Sequence, residues 1–189
     1  AYNSSGDSWS EEQKIQASDI VAGDLFGQCV DINSDGTKIV VGSEESDEGG
    51  SAAGAAYVYT YSSGTWGTEQ KIQASDKRSS TEFGTSASFN TDGTRVIVGA
   101  KYEDEGSTNS GAAYIFAYDG SNWNEVVKLK HRDRATSDHF GNSVAMNGDG
   151  TRIIVGSMQD DDGGSLSGSA YIYTYSSGSW LSLIHISEP

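Results

Sequence analysis

Residues 26–43 read FGQCVDINSDGTKIVVGS. Ser34-Asp35-Gly36-Thr37 is a hairpin signal, because Asp-Gly tolerates the positive φ that tight turns between strands require. Ile39, Val40 and Val41 are apolar on both faces, which suits a central strand covered on both sides. The stretch reads as two antiparallel strands.

The same frame returns along the chain at a fixed interval. Phe-Gly recurs at Phe26, Phe83 and Phe140, and Asp-Gly-Thr at Asp35, Asp92 and Asp149. Val-Gly recurs at Val41, Val98 and Val155, and the tyrosine of GAAY or GSAY at Tyr57, Tyr114 and Tyr171. The four tryptophans, Trp9, Trp66, Trp123 and Trp180, stand 57 residues apart. EQKIQASD occurs twice, starting at Glu12 and Glu69. Self-similarity at such a period is the signature of a repeat architecture, here with units 9–65, 66–122 and 123–179.

Each unit reads as four strands. In the first these are EQKIQAS, FGQCVDIN, KIVVGS and AAYVYTY. The fourth strand alternates aromatics (Tyr57, Tyr59, Tyr61) and so places them on one face. Gly, Ala and Ser surround them, as suits sheets that crowd near an axis and diverge outward. The expected fold is all-β, a partial β-propeller with three 57-residue blades of four-stranded antiparallel sheet.

The pattern FGxSVAxxxDGTxIxVG…GxAYxY, with KIQASD before it and an acidic Gly-rich loop after VGS or VGA, resembles the FG-GAP repeat of integrin α-like β-propellers. The resemblance covers residues 9–180 and implies a propeller of an extracellular or cell-surface protein. It implies a protein or glycan ligand and a role in adhesion.

Composition narrows the partners. A net charge of −15 with 12 Lys and Arg argues against nucleic acid, whose phosphates need clustered cations. No stretch is long enough to span a membrane as a helix. Cys29 is the single cysteine, so no intrachain disulfide forms; Ser86 and Ser143 hold its place in the other units, which reads as a small packed residue.

Two groups of acids are the candidate sites. Asp31, Asn33 and Asp35 begin a D-x-D-x-D-G-x-x-D calcium loop, since Ca²⁺ takes several oxygen ligands. Ile39 fills the ninth position, so the motif is degenerate, and a hairpin turn explains Asp-Gly-Thr fully. The loop between the third and fourth strands carries Glu44, Glu45, Asp47 and Glu48, then Glu103, Asp104 and Glu105, then Asp160, Asp161 and Asp162. These should form an acidic arc on one face, an interaction surface with Asp160–Asp162 as a second candidate for Ca²⁺. Lys77, Arg78, Arg132 and Arg134 lie in the neighbouring loops as candidate partners of the acids. No catalytic constellation is apparent, and His131 and His139 occur only in the third unit, so the expectation is a binding protein rather than an enzyme.

The ends carry two further expectations. Ala1-Tyr2 reads as the end of a preceding fourth strand, which places the remaining blades in the same parent chain. LSLIHISEP (181–189) resembles the translation of a transposon-end sequencing adapter and reads as a non-native tail. Nothing in the sequence identifies the ligand or the parent architecture; the alternative roles are a structural component of a surface layer or filament and, ranked last, an enzyme on a propeller scaffold.

Overall fold

The computed structural model describes residues 2–3 and 8–182, and it is all-β over them. Two short strands, β1 (Tyr2–Asn3) and β2 (Ser8–Trp9), form a hairpin. Three four-stranded antiparallel meanders follow. The first contains β3 (Val30–Ile32), β4 (Lys38–Ser43), β5 (Ala55–Ser62) and β6 (Thr65–Ile72). The second contains β7 (Phe83–Phe89), β8 (Arg95–Ala100), β9 (Ala112–Tyr118) and β10 (Trp123–Leu129). The third contains β11 (Phe140–Met146), β12 (Arg152–Ser157), β13 (Ser169–Ser176) and β14 (Ser179–Ser182).

These sheets are three blades of a partial β-propeller, out of phase with the sequence units by one strand. The unit's opening strand pairs with the preceding unit's last one: Trp66 lies opposite Tyr61, Trp123 opposite Tyr118 and Trp180 opposite Tyr175. Tyr2 lies opposite Trp9 in the same way. Two identical strings show that pairing decides the conformation. EQKI is strand at 69–72, against β5, and has no strand conformation at 12–15. Leu181 and Ser182 belong to β14; residues 183–189 of the expected tail lie outside the described residues.

The inner strands hold the blades together. At each Asp-Gly-Thr turn an Asn side chain organises the loop: Asn90 Oδ1 accepts from the amides of Thr94 and Arg95, at 3.0 and 2.8 Å. Neighbouring turns then join, with Ser34 N donating to Thr91 O (3.1 Å) and Thr91 N to Gly148 O (2.9 Å). Cys29 Sγ donates to Gly84 O, and Ser86 Oγ makes the same bond to Gly141 O.

The repeated aromatics fill the space between blades. Phe83 packs edge-on against Tyr114 and Phe116, and Phe140 against Tyr171 and Tyr173. Both phenylalanines are fully buried, whereas Phe26, in the first blade, is only half-buried. The middle blade is covered on both faces: Val96, Ile97 and Val98 are all completely buried. In the third blade Ile154, the counterpart of Ile97, is 43% exposed.

Candidate functional site: the long-loop face

The acidic loops and the connections between blades emerge at one end of the sheets, and the Asp-Gly-Thr turns at the other. The loops interlock. Ser80 N donates to Ser51 O (2.7 Å) and Glu82 N to Ala52 O (3.1 Å); Ser137 and His139 repeat these bonds to Thr108 and Asn109.

The acids divide by role. Asp47, Asp104 and Asp161 close their own loops, each Oδ1 accepting the amide five residues on, at Ala52, Asn109 and Leu166. Glu44 is buried between the first two blades, where Thr85 Oγ1 (2.7 Å) and Lys101 Nζ (2.9 Å) donate to it. Glu45 is half-buried. Glu48 and Asp19 hold Lys71 Nζ at 2.5 and 2.8 Å. In the next blade Asp76, Glu103 and Glu105 hold Lys128 Nζ at 2.6, 2.9 and 2.8 Å. Each ammonium also lies over a tyrosine ring, Tyr57 or Tyr114.

Electrostatics follow from this caging. Burial alone would lower the pKa of Lys128, but its bonds to Asp76 and Glu105 outweigh this and raise it. Hydrogen bonds from Lys128 and Lys130 hold the Glu105 carboxyl at about 2. The caging lysines come from the next unit's opening strand. Lys77 instead donates to Gln73 Oε1, and Arg134 reaches the His131 carbonyl.

The first calcium candidate lies at the opposite end. Asp31 Oδ2 accepts from the Phe89 amide of the next blade (2.6 Å), and its Oδ1 from Ile32 N. Asn33 Oδ1 accepts from the amides of Thr37 and Lys38, and Asp35 Oδ1 from the amide and hydroxyl of Thr37. These oxygens organise the turn and the blade contact.

The second candidate is drawn apart. Asp161 caps its loop and Asp162 is exposed, while Asp160 is buried. Asp160 meets two residues that the sequence reading did not connect with it, His131 and Asp138. His131 Nδ1 is 3.2 Å from Asp133 Oδ1, and Nε2 is 3.3 Å from Asp138 Oδ2. The only sequence signal was that Ala17 and Ala74 occupy the His131 position in the other units.

Comparison with known proteins agrees with the repeat. The FG-GAP repeat model matches residues 9–59, 66–116 and 123–173. Integrin alpha-6 of Homo sapiens is 34% identical over 143 residues, 69% of this chain. The chain spans 12% of the length of that relative. Among solved structures, TolB from Acinetobacter baumannii aligns with a TM-score of 0.47 at 20% identity, over 80% of this chain and 30% of that one. Kuenenia stuttgartiensis hydrazine synthase aligns at 0.49 with 11% identity, over 88% and 37%. Likeness at that level adds nothing to the fold read from the sheets. Three phased matches over most of the sequence, on three blades that repeat the same contacts, place the chain in the FG-GAP repeat family.

Proposed function

We propose that this chain is a recognition and adhesion module of an extracellular or cell-surface protein, binding a protein or glycan through its long-loop face. The observation that carries the reading is the fixed geometry of that face. Its loops are capped by Asp47, Asp104 and Asp161, braced by Lys71 and Lys128, and bonded blade to blade. Loops held on a rigid scaffold lose little entropy on binding. The crests of the connections between blades differ between copies, Lys77-Arg78-Ser79-Ser80 against Arg134-Ala135-Thr136-Ser137, while the scaffold contacts repeat. Binding rather than catalysis is favoured because most acids of the face are tied into caps and ion pairs.

The test is a panel of glycans and extracellular protein domains against the immobilised chain. The expected result is a ligand whose affinity falls at least about tenfold, or ~1.4 kcal/mol, with Arg78→Glu and Arg132→Glu together. Thr65→Glu, at the turn-bearing end, should leave it unchanged. Sensitivity to Thr65→Glu alone would move the site to the other end; no binding across the panel would overturn recognition.

The outer faces of the first and third blades support a second element. Val30 and Ile32 are 70% and 55% exposed, although Phe89, the counterpart of Ile32, is buried. We place further blades of the same parent chain on these faces, because they repeat the faces that the blades bury against one another.

A further inference from the structure

We propose that the third blade binds a divalent transition-metal ion of the zinc class between His131, Asp138 and Asp160. One donor atom from each lies within 4.8 Å of the other two. All three residues are buried, at 1%, 3% and 3% exposure.

The first argument is charge. Buried carboxylates are costly unless paired. In the second blade the counterpart of Asp160 is Glu103, and the Lys128 ammonium balances it. Among the described residues, the ion partner of Asp138 is His131 alone, and Asp160 has no ion pair with Lys or Arg. Tyr171 donates its hydroxyl to Asp160 Oδ2 and the Asp162 amide donates to Oδ1, but neither brings charge. Asp138 accepts the Ala135 amide. A carboxylate has about four acceptor sites, so each retains capacity for a cation.

The second argument is the histidine. Nε2 is buried and has no hydrogen-bond partner. Nδ1 faces the Asp133 carboxylate, an acceptor, so the neutral ring carries its proton on Nδ1 and turns the Nε2 lone pair to Asp138. Metal-ligating histidines are held in this way, the other ring nitrogen donating to a carboxylate that fixes the ring's orientation. The ring is stacked on Phe140 at 5.1 Å and tilted against Tyr171 at 5.0 Å, so it is held in place.

The third argument is geometric. In that neutral tautomer Nε2 and Asp138 Oδ2 are lone-pair atoms 3.3 Å apart, which repel without a cation between them. An ion about 2.05 Å from nitrogen and about 2.1 Å from oxygen would subtend about 105° across that gap, close to the tetrahedral angle. Imidazole with carboxylates selects zinc, cobalt and their neighbours over calcium or magnesium. The trio occurs once: the His131 position holds Ala17 and Ala74, that of Asp138 holds Asp24 and Thr81, and that of Asp160 holds Ser46 and Glu103.

The experiment strips the full chain with a chelator and titrates it with Co²⁺, reading visible absorption, then displaces cobalt with Zn²⁺. One equivalent of an absorbing complex, displaced by one equivalent of zinc, is expected. His131→Ala and Asp138→Thr install residues that the sister blades carry, and circular dichroism checks that they fold. Each should abolish the absorbing complex, whereas Asp133→Asn should weaken it about 10–100-fold. Asp76→Asn, in the lysine-filled cluster, should leave it unchanged. No absorbing complex with the parent chain would overturn the proposal and leave a protonated His131 bridging Asp133 and Asp138. Unchanged binding in both His131→Ala and Asp138→Thr would overturn it as well, by placing the ion elsewhere.

Discussion

Gly42 and Gly84, in neighbouring blades, touch backbone to backbone: a Cβ on Gly42 would stand 2.0 Å from the Gly84 carbonyl oxygen. Gly99 and Gly141 repeat the contact at the next interface, also at 2.0 Å. The recurring Val-Gly and Phe-Gly pairs are thus two halves of one contact. Gly42→Ala and Gly99→Ala should each destabilise by about 1–3 kcal/mol or more, since neither backbone can yield alone. Gly67→Ala, with open space around it, should change stability by under about 0.5 kcal/mol. Urea denaturation midpoints decide between them.

The phenylalanines grade the interfaces. Phe83→Ala and Phe140→Ala should cost about 3–5 kcal/mol each, as for buried aromatic deletions. Phe26→Ala should cost less, because that ring is half-exposed. Equal losses at all three positions would show that burial between blades is not the source.

The lysine cages set a pH window. The Glu105 carboxyl is lowered from 4.5 to about 2, so its contribution is full above about pH 4.5 and lost as pH falls through 2. The Lys128 pKa is raised above 10.5, so its contribution is full below that value and lost as pH rises through the raised one. Thermal stability should therefore be level between these limits as far as this cluster is concerned. Lys128→Met should cost about 3–5 kcal/mol at neutral pH by stranding the buried Glu103 carboxylate. The deficit should shrink as pH falls through about 2 and Glu105 loses its charge in the parent chain as well.

Calcium should leave the melting temperature unchanged. Asp31, Asn33 and Asp35 direct their oxygens at backbone amides and the Thr37 hydroxyl, and an ion would have to displace these bonds. A rise of several degrees on adding Ca²⁺ to chelator-treated protein would contradict this.

Burial pushes the Cys29 thiol up to about 12. Thiol reagents at neutral pH should label the folded chain far more slowly than the unfolded one. Cys29→Ser should be close to neutral in stability, because Ser86 already makes the equivalent bond to Gly141.

Much of this was legible in the sequence. The period, the hairpin turns, the strand types and the shared end of the acidic loops all follow from local pattern. The blade boundary was not, because a periodic sequence has no privileged starting point; only the partner of each EQKI or EVVKL segment fixes it. Acid by acid, the loop face was hidden for the same reason, since Lys71 and Lys128 arrive from the next unit. His131 read as an isolated substitution, because Asp138 and Asp160 reach it only through the loop between blades and the following hairpin.

The borrowed outer strand also bears on how the chain is made. When β5 leaves the ribosome, its free edge must wait for residues 65–72. At about 5–20 residues per second that interval is no more than about two seconds. During it another copy of EQKI, at 12–15, is already present and identical in sequence. Nothing in those four residues tells the edge which copy to take. The choice rests on chain connectivity, because the short turn after Ser62 leaves the smaller loop to close on the later copy.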